Sequence, residues 1–136
     1  MAMGWPWSGA GPRQTCVFNG CTIQVSVVAG TVEVDIPDVD MYRGSRDVEM
    51  RWLIITPGYE FRPVGGPTAP IIFKGDNPPD VLAQFTGRSI TPRGQIASVQ
   101  NQNRSRARYT YKVRVYKQGG GDNDFLESDP AIFNDW

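Results

Sequence analysis

Apolar and polar residues alternate one by one in several short segments of this chain, and clusters of Gly, Pro, Asn and Asp separate these segments. Strict alternation with a period of two predicts half-buried β-strands, and no segment has the spacing of an amphipathic helix of useful length. We therefore predict an all-β protein. The predicted strands cover residues 22–29, 31–36, 47–56, 59–61, 70–74, 81–86, 95–100, 107–117 and 131–133.

Two of these segments define the predicted core. In segment 47–56 the apolar face contains Trp52, and the opposite face changes from charged residues to Leu53 and Ile55. The second half of this strand is therefore expected to be covered on both faces. In segment 107–117 every second residue is apolar or aromatic. The residues expected in the core are Val25, Val27, Val34, Met50, Trp52, Ile54, Tyr109, Tyr111, Val113 and Val115.

The central Trp52 and the pair Tyr109-x-Tyr111 at the start of a long late strand resemble immunoglobulin-like and fibronectin-like domains. In those domains a Trp fills the core against a late strand that a tyrosine corner introduces. The resemblance implies an antiparallel β-sandwich of about seven to nine strands. Tyr111 stands where an immunoglobulin domain has its second cysteine, so the inter-sheet disulfide of that family is not expected. These are packing residues, and the resemblance therefore concerns the fold and not the chemistry.

A looser similarity connects the chain with small bacterial sandwich proteins of unknown function, and it covers about residues 22–134. From this organisation we expect an aromatic N-terminal arm, residues 1–12, followed by a single β-sandwich domain, residues 13–136. The similarity rests on Trp52, Gly58-Tyr59-x-Phe61, the strand around Tyr109 and Tyr111, and Asp129-Pro130-x-Ile132-x-Asn134.

The two cysteines flank an Asn-Gly pair in segment 16–21. Asn-Gly between β-forming residues predicts a tight hairpin, in which Phe18 pairs with Cys21 and Cys16 pairs with Ile23. The two cysteines then lie diagonally on one face, which is a poor geometry for a disulfide. We therefore expect two half-buried thiols. A zinc site is not expected, because no further Cys or His is present to complete four ligands.

The composition excludes several kinds of active site. The 136 residues include no histidine, which removes Ser-His-Asp and Cys-His nucleophile systems, imidazole metal sites and histidine proton shuttles. Carboxylates cluster within segments 35–40, 76–80 and 122–129, but segment 122–126 departs from a calcium-binding pattern, and acids that form turns are the alternative. No motif brings two carboxylates together as a glycosidase requires. We expect a protein that is not an enzyme and has no cofactor or metal site.

Positive charge is concentrated in one part of a chain whose net charge is zero. Residues 81–121 contain eight basic residues and no acidic residue. A basic row on and before the long late strand could follow a phosphate backbone, with Tyr116 available for base stacking. The alternative is that the row pairs with acidic outer faces such as those of Glu33 or Asp47, and the balanced total charge favours it. The candidate nucleic-acid-binding residues are Arg104, Arg106, Arg108, Lys112 and Arg114.

The N-terminal arm contains Trp5 and Trp7 in a segment without strand or helix periodicity. Trp is favoured as an anchor at interfaces, and three alternatives stay open: docking on its own domain, docking on a neighbouring subunit, or an expression remnant. We predict a non-catalytic structural or protein-interaction module that self-associates through Trp5, Trp7 and exposed sheet edges. The expected partner is a second copy of the chain or another protein, with nucleic acid as the alternative.

The start of the chain lacks the pattern of a secretory signal, because it has no basic region and because Gly4 and Pro6 interrupt its apolar residues. No uncharged apolar stretch approaches the roughly 18 to 20 residues that span a bilayer. We therefore expect a cytoplasmic protein with no membrane association.

Overall fold

The computed structural model describes the backbone of residues 13–16 and all atoms of residues 20–135. Trp5, Trp7 and the side chain of Cys16 lie outside this described part. Within it the chain forms twelve strands and one short helix. In chain order these are β1 (Arg13–Cys16), β2 (Cys21–Val28), β3 (Thr31–Val34), β4 (Asp38–Met41), β5 (Val48–Ile54), β6 (Tyr59–Glu60), β7 (Ile71–Phe73), α1 (Val81–Gln84), β8 (Phe85–Ile90), β9 (Ile96–Asn101), β10 (Ala107–Lys117), β11 (Phe125–Ser128) and β12 (Ala131–Asn134).

The strands form two sheets that share one hydrophobic core. The five-stranded sheet has the order β3-β2-β5-β9-β8. The seven-stranded sheet has the order β1-β4-β12-β10-β11, and β6 and β7 also pair with β10. Buried side chains from both sheets belong to a single cluster. The predicted all-β class is therefore confirmed.

Strand β10 is the central strand of the seven-stranded sheet, and its predicted bounds are confirmed. Along one side it pairs first with β12 and then with β11 in one continuous antiparallel register. Asp129 and Pro130 separate these two partners, and Pro130 has no N–H to donate to the ladder. Along the other side β7 and β6 pair with its middle and its end.

Both sheets are mixed, so the prediction of a purely antiparallel sandwich is wrong. Strand β4 runs parallel to both β1 and β12, and β2 runs parallel to β5. Alternation along a strand indicates which face is buried, but it does not reveal the direction of the neighbouring strand. The described residues also contain more strands than predicted. The missed strands β1, β4 and β11 have four residues each, which is too short for a period to be recognised.

The predicted hairpin at the two cysteines is wrong. Strand β1 belongs to the seven-stranded sheet, where Cys16 is aligned with Met41, and β2 belongs to the five-stranded sheet, where Cys21 is aligned with Met50. The chain therefore passes from one sheet to the other between β1 and β2. Cys21 takes part in a disulfide, and Cys16 is the one other cysteine of the sequence. The expectation of a thiol at Cys21 fails because it assumed hairpin geometry.

The segment predicted as strand 81–86 is a single helical turn followed by a strand. Helix α1 follows two consecutive prolines, and the carbonyl of Asp80 accepts hydrogen bonds from the amides of Ala83 and Gln84 at 2.9 and 3.1 Å. Strand β8 begins at Phe85. A four-residue turn is too short to show a helical period, so alternation alone could not separate it from the strand.

The core agrees closely with the prediction. Val27 and Val34 are half-buried and pack against the core, whereas the other eight predicted residues are at most 3% exposed. The indole Nε1–H of Trp52 donates a hydrogen bond to the Tyr111 hydroxyl at 3.2 Å, and the two rings meet edge to face with centroids 5.6 Å apart. Because Trp52 lies on β5 and Tyr111 on β10, this contact joins the two sheets.

Candidate interaction surfaces

The five candidate basic residues do not form one continuous row. Arg108, Lys112 and Arg114 lie on the outward face of β10, where they alternate with buried residues. Arg104 and Arg106 precede the strand. The structure therefore brings only part of the predicted set together on one face.

Arg104 and Arg106 each lie close to an acidic residue. The guanidinium of Arg104 lies 3.4 Å from the carboxylate of Asp47, which was among the predicted partners, and that of Arg106 lies 3.9 Å from Asp135. Both arginine side chains are more than half exposed, at 55% and 58%. Exposed ion pairs of this kind contribute little to stability.

Lys112 and Arg114 share one carboxylate, that of Glu127 on the neighbouring strand β11, at 3.5 and 2.8 Å. The Arg114 guanidinium also lies 3.8 Å from the centre of the Phe125 ring. Burial alone would lower the pKa of Arg114, but its hydrogen bond to Glu127, together with Tyr116, raises the pKa overall. The alternative to nucleic-acid binding, charge pairing across the sheet, therefore holds for Lys112 and Arg114. Their partner Glu127 was not among the predicted acidic residues.

Tyr116 is not available for base stacking, so that part of the nucleic-acid hypothesis is wrong. The side chain is fully buried. The guanidinium of Arg62 lies 4.8 Å from its ring centre, and Phe125 meets it edge to face at 5.8 Å. Glu60 and Asp122 hold Arg62 in place at 2.7 and 2.8 Å. Alternation places residue 116 on the outward face, but it cannot reveal that other segments cover this end of the strand.

A shallow groove of about 540 Å³ borders β7 and β10. Lys74, Lys112 and Arg114 contribute three positive charges to it. Lys74 lies 3.2 Å from Asp129, and Lys112 and Arg114 share the single carboxylate of Glu127, so the groove keeps an excess of positive charge. The residues lining the groove are Ile72, Phe73, Lys74, Gly75, Lys112, Arg114 and Asp129.

The strongest cluster of titratable and hydroxyl groups lies where β10 meets α1. The Tyr109 hydroxyl donates to Asp80 at 3.0 Å, and the Ser105 hydroxyl donates to the other oxygen of the same carboxylate at 2.8 Å. Burial raises the pKa of Tyr109 to about 12, so the phenol stays protonated at neutral pH and acts as a donor. These hydrogen bonds connect the start of β10 with the segment before α1.

Four apolar side chains lie on the outward face of the five-stranded sheet, and we call them the outer apolar strip: Val28, Leu53, Ile55 and Ile96. Val28 and Ile55 are each 52% exposed. Leu53 and Ile96 are half-buried and lie opposite each other on β5 and β9. The sequence predicted that this half of β5 would be covered on both faces. That prediction is wrong for the single chain, because the outward face remains accessible.

The residues beside the outer apolar strip are polar and include charges of both signs. Arg51, one step along the outward face of β5, forms an ion pair with Glu49 and donates to the Thr22 hydroxyl at 3.1 Å. Gln24 is aligned with Leu53 on the adjacent strand. On β3, beside Val28, Glu33 is aligned with Ser26. The face therefore combines an apolar centre with a polar margin that also carries acidic groups.

Two further features bear on function. Among residues 20–135, no group of three acidic, Cys or His side chains is arranged to hold a metal ion. In the same part of the chain, no helix has the length and apolar character to span a bilayer.

Comparison with known proteins does not assign the chain to a family. No protein-family model matches the chain, and no curated protein matches it. The resemblance to immunoglobulin-like domains therefore stays a prediction, and the surfaces described above carry the functional inference.

Proposed function

We propose that this protein is a non-catalytic interaction module that associates with a second copy of itself through the outer apolar strip. The observation that carries the proposal is the half exposure of Val28 and Ile55 beside Leu53 on a regular sheet face. Burying apolar surface contributes roughly 25 cal/mol for each Å² removed from water. Contiguous apolar residues with a polar margin are the usual mark of a protein–protein contact.

The pairing of Arg51 with Glu49 next to the apolar centre fits a second copy as the partner. In a two-fold dimer the same patch lies on both subunits, so any net charge on it would face itself. The ion pair between Arg51 and Glu49 leaves no net charge at that position of the patch. Two flat sheet faces can also pack against each other as sheets do inside a protein, with about 10 Å between them.

We further propose that the two layers are a variant of the immunoglobulin-like sandwich. Support comes from Trp52, which packs on the long late strand β10, and from Tyr109 at the start of that strand. The hydroxyl of a tyrosine corner bonds to the backbone in that family, whereas Tyr109 bonds to the Asp80 side chain. The N-terminal strands β2 and β3 and the parallel pairs would be the departures from the common pattern.

Sedimentation velocity on three matched chains tests self-association. Ile55→Lys places a charge in the outer apolar strip, and Gln118→Lys adds the same charge at an exposed residue after β10. We expect the unmodified chain and Gln118→Lys to associate with rising concentration, and Ile55→Lys to remain monomeric. Equal behaviour of Ile55→Lys and the unmodified chain would reject the proposed surface.

Nucleic-acid binding is the second candidate, because Arg108 stays exposed on the outward face of β10. A salt titration with single-stranded and duplex oligonucleotides separates it from self-association. Binding that weakens steeply with salt and is lost in Arg108→Glu would favour it. No binding at about 50 mM salt would remove it.

The cellular compartment remains a proposal as well. The sequence favoured the cytoplasm, but disulfides persist mainly in oxidising compartments. The disulfide of Cys21 therefore supports an oxidising environment as the place where the protein works.

A further inference from the structure

A second depression adjoins the shallow groove that borders β7 and β10. It has a volume of about 320 Å³, and we call it the proline cleft. The groove and the proline cleft share residues 72–75, so the two meet along β7. One continuous surface therefore runs from the basic side chains of the groove to the apolar side of the cleft. The residues of that apolar side are Pro67, Pro78, Pro79, Val81 and Leu82.

The apolar side of the proline cleft is both accessible and firmly held. The side chain of Leu82 is 53% exposed. Val81 and Phe73, which line the same cleft, pack against the core, and the Phe73 ring stacks on Phe85 with centroids 4.4 Å apart. Proline fixes its own φ, so the three prolines give a rim that a ligand would not have to order.

Positive charge borders the proline cleft at several points. Lys74 belongs to both depressions, and it is the one charged residue among the described residues that line the cleft. The exposed Arg88 donates to the carbonyl of Gly66, another lining residue, at 3.3 Å. The exposed Asp76 follows the shared segment but lines neither depression. The surface therefore complements an apolar side chain that is flanked by carboxylates.

Gly65 brings the cleft into contact with the groove. Its φ is +115°, and a Cβ at this residue would lie 2.6 Å from Nη1 of Arg114. Glycine adopts such a conformation readily, and the missing side chain lets the loop approach the guanidinium. Arg114 is itself held by Glu127 and by the ring of Phe125. This part of the surface is therefore formed before any ligand arrives, which lowers the cost of binding.

We propose that the groove and the proline cleft together bind an extended acidic peptide segment of a partner protein, with an apolar side chain against Leu82 and carboxylates at Lys74 and Lys112. Carboxylates form strong, charge-assisted hydrogen bonds with basic side chains. An apolar anchor inside a polar margin is a common arrangement at protein interfaces. Nucleic acid fits less well, because the Phe73 ring is already stacked on Phe85 and offers no free ring for a base to stack on from both sides. The site belongs to the seven-stranded sheet, so it does not depend on the outer apolar strip.

Amide chemical shifts of the isotope-labelled, full-length chain test the proposal with three octapeptides. The first peptide alternates glutamate with leucine, the second alternates glutamine with leucine, and the third alternates glutamate with glycine. We expect the first to shift the amide signals of residues 72–75 and of Leu82, and we expect both others to bind more weakly. Added salt should weaken binding of the first peptide, because the charges at this surface are partly exposed.

Two substitutions separate the basic side chains from the apolar anchor. Lys112→Glu should weaken binding of the first peptide about fivefold, since an attraction becomes a repulsion. Lys117→Glu is the matched control, because it changes the same charge at an exposed residue of the same strand that lines neither depression. Leu82→Gln should weaken binding of the first peptide but not of the third. Unmoved core signals, such as that of Val113, report that each variant remains folded.

Several outcomes would overturn the proposal. The first is equal binding of the glutamate–leucine and glutamine–leucine peptides, and the second is the absence of shifts at residues 72–75 up to millimolar peptide. Equal effects of Lys112→Glu and Lys117→Glu would also overturn it, as would a single-stranded oligonucleotide that binds this surface more tightly than the first peptide. Ile55→Lys should bind the peptide like the unmodified chain while it remains monomeric. Failure of this proposal is therefore distinguishable from failure of self-association.

Discussion

The side-chain amides of Asn101 and Asn134 form two reciprocal hydrogen bonds that join the two sheets. Nδ2 of Asn101 donates to Oδ1 of Asn134 at 2.7 Å, and Nδ2 of Asn134 donates back to Oδ1 of Asn101 at 3.1 Å. Both residues are fully buried. Asn103 extends the network, because its amide N–H donates to Asn101 at 3.0 Å and its Nδ2 donates to the Ser45 carbonyl at 2.8 Å. These bonds fix how β9 and β12 face each other.

Asn101→Ala should strongly destabilise the protein. The substitution leaves the amide of Asn134 and the backbone N–H of Asn103 without their partner in a buried site, at a cost of about 2–3 kcal/mol. Urea unfolding measures the change. Gln100→Ala is the matched control, since Gln100 is the neighbouring residue of the same strand and lies on the accessible side. Equal effects of the two substitutions would contradict a structural role of the amide pair.

Tyr111→Phe should destabilise the core although it changes the volume little. The phenylalanine ring can keep the edge-to-face contact, but the indole N–H of Trp52 loses its acceptor, at a cost of about 1–3 kcal/mol. A double-mutant cycle with Trp52→Phe, followed by urea unfolding, measures the free energy of the hydrogen bond between residues 52 and 111. In the Trp52→Phe background the same change should cost less. A cost that is independent of residue 52 would show that the hydrogen bond contributes nothing.

Stability should fall at alkaline pH because two buried phenols resist ionisation. Burial raises the pKa of Tyr109 from 10.0 to about 12 and raises the pKa of Tyr111 as well. The folded chain holds these protons more tightly than the unfolded chain. The contribution of the protonated phenols to the free energy of unfolding is therefore complete below pH 10.0 and is lost as the pH rises through about 12. Tyrosinate absorbance with parallel urea unfolding measures both effects. Tyr109→Phe should make the free energy of unfolding depend less on pH in this range. A pKa of 10.0 for Tyr109 in the folded chain would contradict the prediction.

Reduction of the disulfide at Cys21 should lower the free energy of unfolding by about 2 kcal/mol, the value for a short loop. The short loop follows because the sequence has only Cys16 as a second cysteine. Mass spectrometry under non-reducing conditions checks that the bond forms, and thermal unfolding with and without reductant gives its contribution. Cys16→Ser with Cys21→Ser should unfold alike in both conditions. A fully reactive thiol at Cys21 in the folded, oxidised chain would contradict the assignment.

The sequence predicted burial better than it predicted neighbours. The faces of Trp52, Tyr109 and Tyr111 follow from alternation, because each residue's side depends on its own strand alone. The alignment of Cys16 with Met41 depends on which distant strand lies beside β1, and no local pattern encodes that choice. For that reason the predictions of a hairpin at the cysteines and of purely antiparallel neighbours were both wrong.

The same distinction between burial and neighbours applies to the candidate surfaces. Leu53 and Ile55 carried a readable signal, since apolar residues on both faces of β5 predict cover on both sides, but the structure leaves the outward face accessible. The partner of Arg114 could not be predicted, because Glu127 comes opposite it only through the register of β10 and β11. The burial of Tyr116 likewise depends on Arg62, which lies far away in the sequence.

Sedimentation equilibrium of the unmodified chain, followed up to high micromolar concentration, tests most directly whether this protein works by joining with itself. We expect the average mass to rise from that of one chain of 15.1 kDa toward twice that value, and to do so equally after residues 1–12 are removed. A mass that stays at one chain over the whole range, with and without those residues, would contradict self-association.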